Sequence, residues 1–514
     1  MAHASARAPE AERRRLVRNV AWNYGAGLSS ILGLVLLYPW AVSLAGAAPY
    51  GLWVLAFGAT QLLVMADFGI GDGIVRHMGA MHREGEPPSQ LRHFVGVALL
   101  VFAGLAGLLT ALYLVLVPLY LRAVPTVGIA AGERHLVVVA GAAALFLAIM
   151  ARGTNAVLWA LDRQDIERKA TLAGLGLRVV GFVLVASLGA GLSGVVAAEV
   201  VGSAVSPVVC SIAVIRRFGR PRPTRAALRR HAGPLLRLSS ALFVGSLASL
   251  AALQLPLFVV GASLGLVATT AYGALMRVYQ SARMVNSWTA NPFIHALSSA
   301  SPQELPARAR TCLVATVLVG TAMATVVGGL APDLITAWLG ADFACAAPAL
   351  ALLPIAMLAD ALAKPSALIV NLRGRPLVVS VLHLLVLGLT LGAVLAATRT
   401  GSLTLVVLGM GAALAVVAPL YLIAAARVLG ASPLPKRPLP YVAYVAGTAL
   451  AYGLVRLVGE LLPPWPAVLT VAAAGAVLVA AALVVRRHSG RRRARHATSP
   501  DTGSDTGSDT GSET

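Results

Sequence analysis

The chain has 514 residues, of which 58% are hydrophobic and only 12% charged, and a formal net charge of +21. Soluble globular domains carry about one-quarter charged residues, so this composition, with a mean hydropathy of +0.81, excludes a soluble body and indicates a polytopic membrane protein. The positive charge lies in loops between apolar runs rather than on one basic face, which is a topology signal and excludes nucleic acid as a partner.

The N-terminal segment 1–19 is polar and basic. The apolar stretch that follows is too long for a cleavable signal peptide, so it is expected to be a retained signal anchor. Runs of membrane-spanning length then succeed one another at 21–45, 50–73, 94–121, 137–161, 170–189 and 193–215. After the basic linker 216–237 come 238–260, 265–295, 312–330, 346–370, 377–397 and 402–426. A second basic linker, 428–438, precedes a final pair at 439–458 and 465–485. A bilayer core of about 30 Å takes roughly 20 residues of helix, and lipid satisfies no backbone polar group, so each run is expected to be a helix. The fold class is therefore all-α, with about fourteen transmembrane helices. The domain plan is a six-helix bundle over 20–215, another over 238–427, a helix pair over 439–486 and a polar, disordered tail over 487–514. Pro39, Ser43-Leu44 and Tyr50-Gly51 are echoed loosely by Pro256, Ser263-Leu264 and Tyr272-Gly273, a hint of duplicated bundles.

Loop charge sets the orientation. With both termini in the cytoplasm, the inner loops collect nearly all the arginine, including Arg216, Arg217, Arg225 and Arg229, and the outer loops keep only Arg122, Arg134 and Arg399. A reporter fused at Thr224 is expected to read cytoplasmic and one at Gly401 external; the reverse pattern would overturn this orientation.

Ionisable residues within spans are costly in hydrocarbon and mark candidate sites. Arg152 falls near the bilayer midplane, with Asn155 and Trp159 on its helix face. Arg178 is about 13 Å along its span from Lys169. Arg277 is mid-span, with Gln280 and Ser281 on its face, and Arg283 lies nearer the cytoplasm, where it can snorkel. Arg152, Arg178, Arg277, Asn155 and Gln280 are thus candidates for a cavity that binds anions, since arginine matches phosphate oxygens. Arg178 is alternatively a partner for Glu199. Asp360 and Lys364, at i and i+4, are expected to pair with each other, with Asp360 or Glu199 as the alternative coupling-ion site. Cys210, Cys312 and Cys345 show no C-x-x-C spacing, and no metal cluster, phosphate loop or nucleophile motif indicates a cofactor or catalysis.

The opening hairpin carries Asn23, Pro39, Tyr50-Gly51-Leu52-Trp53 and Asp67-x-Gly69-x-Gly71 running to Arg76. In these features it resembles the polysaccharide-biosynthesis membrane proteins, the Wzx-type flippases of the multidrug/oligosaccharidyl-lipid/polysaccharide (MOP) exporter superfamily. The resemblance implies two six-helix bundles around a central cavity of alternating access. It implies translocation of polyprenyl-diphosphate-linked oligosaccharide across a bacterial plasma membrane, with polysaccharide polymerase and glycosyltransferases of the same pathway as further partners. It assigns none of the arginines. A drug or metabolite exporter of the same fold is the alternative, and would need Asp360 or Glu199 rather than the arginines. A membrane glycosyltransferase or polymerase is disfavoured, because the outer loops are short and hold no paired carboxylates.

Overall fold

A computed structural model describes residues 36–66, 69–219, 223–226, 228–229, 240–432 and 439–463, together with residues 29, 33, 434 and 466. The expected terminal segments 1–19 and 487–514, the helix 465–485, Asn23 and Asp67 lie outside the described residues.

Every element among the described residues is helical. Among the described residues, ten helices are long and apolar enough to cross a membrane. In chain order the elements begin with α1 (Leu36–Ala45) and α2 (Ala47–Val64), α3 (Ile70–Arg83), α4 (Pro88–Leu121), α5 (Ala131–Ala160), α6 (Gln164–Leu188) and α7 (Gly191–Phe218). They continue with α8 (Ser240–Ser263), α9 (Leu266–Ala290), α10 (Phe293–Ser298), α11 (Leu305–Gly329) and α12 (Ala331–Leu339). A 3-10 turn at Ala341–Ala346 leads into α13 (Ala347–Leu372), followed by α14 (Pro376–Thr398), α15 (Leu403–Leu429) and α16 (Leu439–Leu461).

Three boundaries differ from the sequence expectation, each for a local reason. The second span does not run to residue 73. It ends at Val64, and Gly69 adopts a left-handed conformation (φ 71°) that starts α3 as a separate helix. That helix is amphipathic: Ile70, Ile74, Met78 and Met81 are buried, and Arg76, His77, His82 and Arg83 are exposed. The eighth span stops at Ala290, and α9 falls outside the ten apolar helices because it carries Arg277, Gln280, Ser281, Arg283 and Asn286. The outer segment after residue 330, read as a loop, forms α12 and the 3-10 turn, and packs Trp338 and Phe343 inward.

Helices α2 to α7 pack mainly on one another, as do α8 to α16. The two sets meet chiefly where α2 crosses α9 and α8. This junction is held at one end. Thr270 donates to the Ala47 carbonyl (2.6 Å) and Tyr38 to the Thr270 carbonyl (2.6 Å). Tyr120 donates to the Phe258 carbonyl (2.6 Å). Gly51 allows the closest approach, since a Cβ there would stand 2.1 Å from the Leu266 carbonyl oxygen. Gly273 does the same from the other side, where a Cβ would meet Val54 and the Tyr38 hydroxyl at 2.8 and 2.9 Å. The two Tyr-Gly pairs of the loose sequence echo therefore sit at one crossing.

Candidate functional site

Away from the clamped end, the two sets of helices separate around a cavity of about 560 Å³. Its lining runs from Tyr38, Tyr50 and Arg277 towards Gln61, Thr171 and Met284. On α2, Gln61 lies about 21 Å along the axis from Ala47, and on α9, Met284 lies about 27 Å from Leu266, at 1.5 Å per residue. Three lining residues are charged among those described: Arg178 from α6, Glu199 from α7 and Arg277 from α9. The cavity thus carries one net positive charge. Amides from Gln61, Gln254 and Gln280 and hydroxyls from Thr171, Ser203, Ser206 and Ser281 complete a polar lining over an apolar wall.

Arg277 is near the middle of α9. Its guanidinium stands over the Tyr38 ring at 4.1 Å and donates to the Gly273 carbonyl one turn back at 3.3 Å. Tyr38 is itself fixed by edge-on contact with Tyr50 (5.2 Å) and by Trp338 (5.9 Å). Stacking on an aromatic face holds a guanidinium flat while leaving its outer edge available for planar acceptors. Arg178 passes across Gly202 of α7, where a Cβ would stand 2.2 Å from its Cγ, and meets Glu199 at 3.5 Å. Its Nε is buried without a hydrogen-bond partner.

Of the sequence candidates, the structure brings Arg178, Glu199, Arg277 and Gln280 to this cavity. It does not bring Arg152 and Asn155, because α5 contributes none of the lining residues. The rise per residue gives the position of Arg152 along α5 but not the direction it faces. Trp159, on the same stripe, donates its indole N–H to Glu167 at the start of α6 (2.8 Å). Tyr38, Gln61 and Gln254 were missed. An amide within an apolar run was the available signal for the two glutamines.

The second cluster corrects an expected pairing. Asp360 does not pair with Lys364 on its own helix α13; its Oδ1 accepts from Arg283 Nε of α9 at 3.0 Å. Arg283 therefore does not snorkel to the headgroups. Asp360 faces α9, and a guanidinium reaching across the interface meets it more directly than the lysine one turn along. Tyr279, Arg283 and Asn286 form one stripe of α9 by i, i+4, i+7 spacing, and Asn286 is fully buried against Gly320 of α11 and next to Ala361 of α13. Removing one partner of a buried pair costs about 3–5 kcal/mol, whereas replacing both by apolar groups is often neutral. Asp360→Ala is accordingly expected to reduce the folded, monodisperse fraction in size-exclusion chromatography sharply. The double variant Asp360→Leu/Arg283→Met is expected to recover most of it.

No protein-family model matches the chain, and no curated sequence does. Solved structures do. A multidrug resistance MATE family transporter of the MOP superfamily, in an inward-facing conformation, aligns with a TM-score of 0.57 at 16% identity, over 80% of this chain and 94% of that one. The lipid II flippase MurJ, in an inward closed conformation, aligns with a TM-score of 0.57 at 10% identity, over 89% and 98%. The chain has the fold of the MOP superfamily transporters. MATE in a bent conformation gives a TM-score of 0.51 at 17% identity, over 79% and 93%. The long apolar helices and this fold together support a multi-pass membrane protein, and the similar structures named here are a transporter and a flippase. The Tyr38–Thr270 and Gly51–Leu266 contacts lie at one end of the cavity.

Proposed function

We propose that this protein is a flippase that carries a polyprenyl-diphosphate-linked oligosaccharide across the plasma membrane by alternating access. The observation that carries the reading is Arg277. It is a mid-span guanidinium in the central cavity, stacked on Tyr38, with no carboxylate within ion-pair distance among the described residues. Such a group is expensive to keep in a membrane unless an anion uses it. In this reading the diphosphate binds Arg277 and Arg178, the sugars lie along the amides and hydroxyls of the lining, and the polyprenyl chain stays in lipid. In this reading, with the orientation argued from loop charge, the clamped end lies on the outer side and cargo loads from the cytoplasmic side. Release then requires the clamped end to open and the lower end to close, so the diphosphate site must bind more weakly in the outward state.

A second reading, export of a cationic drug or metabolite, rests on Glu199 in the same lining and on the likeness to MATE transporters. One experiment separates the two. Lipids from a strain lacking the protein are analysed by mass spectrometry beside its surface polysaccharide. Accumulated polyprenyl-diphosphate glycan with missing surface polymer is the outcome expected of the flippase. An unchanged lipid profile with new sensitivity to toxic compounds would transfer the assignment to the exporter.

A further inference from the structure

A carboxylate in a cavity meant for an anion works against its cargo, and Glu199 is the one carboxylate in the described lining. Its approach to Arg178 is 3.5 Å, longer than the roughly 2.7–2.9 Å of a charge-assisted hydrogen bond. Arg178 keeps Nε unpartnered. A pair serving only to hold α6 to α7 gains most from short, bidentate contact, and α6 and α7 already pack closely through Gly174 and Gly202, where a Cβ on Gly174 would stand 2.4 Å from the Gly202 carbonyl. Glu199 and Gly202 are three residues apart on one face of α7. That face therefore both lets the Arg178 side chain through and offers it a loose acceptor. Arg178 belongs to the first set of helices and Arg277 to the second, and both line the same cavity as Tyr50.

We propose that Glu199 is a displaceable internal counter-anion. It occupies Arg178 while the protein is empty, the cargo diphosphate takes its place on loading, and it returns to Arg178 on release. The empty cavity then carries one uncompensated guanidinium instead of two facing each other across the helix sets, so the unloaded protein can close without trapping an anion. The inference rests on the diphosphate reading of the cavity.

The test is the affinity of the purified full-length protein for farnesyl diphosphate, measured by titration calorimetry. Competition and positioning predict opposite signs. A competing Glu199 means that Glu199→Gln tightens binding, by about tenfold, or 1.4 kcal/mol. Glu199→Asp, which keeps the charge but shortens the reach, should tighten it by less; it also reports should Glu199→Gln fail to fold. Unchanged or weaker binding in both variants, with wild type binding and Arg277→Ala not binding, would overturn the counter-anion and leave the diphosphate cavity standing. Absence of binding in wild type and Glu199→Gln alike would remove both.

Discussion

Alanine in place of Arg277 is expected to lower transport by about two orders of magnitude while leaving the amount of protein in the membrane unchanged. Two charge-assisted hydrogen bonds to a diphosphate, each worth about 1.5–3 kcal/mol, account for a factor of roughly 100 or more at 1.4 kcal/mol per tenfold. Folding should be indifferent, because Arg277 stands over the Tyr38 ring, donates to a carbonyl of its own helix and has no ion-pair partner among the described residues, so its removal orphans no buried charge. Arg277→Lys keeps the charge but loses the planar fork and the stacking, and an intermediate activity follows. Activity would be measured by complementation of a strain lacking the protein, with immunoblotting of membranes for abundance. Wild-type activity in Arg277→Ala would remove this residue from the site.

Gly51→Val is expected to have the largest structural effect. The added carbon would fall 2.1 Å from the Leu266 carbonyl oxygen and 2.9 Å from the Thr270 hydroxyl. The first obstacle is backbone, which cannot rotate aside. Overpacking of this kind costs about 1–3 kcal/mol, occasionally more, and here it also forces α2 away from α9 at the end that closes the cavity. Gly107→Ala on α4 is the control, since nothing lies within 4 Å of a Cβ there, and alanine favours helix over glycine. The measurements are the monodisperse fraction after extraction and the thermal unfolding midpoint. Both should fall for Gly51→Val and hold or rise for Gly107→Ala; equal behaviour would contradict the close crossing.

These two residues also show what the sequence makes legible. Arg277 is legible as a candidate because hydrocarbon penalises charge and helix rise converts sequence position into a place along the span, and the structure puts it in the cavity lining. Gly51 stood in a recognisable Tyr-Gly-Leu-Trp run, but nothing in the run says which helix it approaches. Depth is a one-dimensional property and survives reading without structure. The direction a residue faces, and its partner on another helix, do not. Arg152 illustrates the first failure: it is mid-span in the sequence as Arg277 is, while α5 stays out of the lining. Asp360 illustrates the second: Lys364 was the nearest cation along its helix, and Arg283 the nearest across the interface. The start of α3 was hidden differently, because hydropathy joined apolar residues on both sides of Gly69, where one left-handed residue ends the run. The Ile70, Ile74, Met78 and Met81 spacing carried that helix and was overlooked in favour of composition.

The proposed function depends on one step, the movement of a lipid-linked diphosphate through the cavity from one leaflet to the other. It is tested most directly in vesicles reconstituted with the purified protein and a fluorescent, short-chain polyprenyl-diphosphate oligosaccharide, with a membrane-impermeant quencher added outside. In protein-containing vesicles, fluorescence is predicted to fall beyond the fraction initially in the outer leaflet. Vesicles holding Arg277→Ala should stop at that fraction. Quenching that stops there for the wild-type protein too, or that proceeds equally in the variant, would contradict the account.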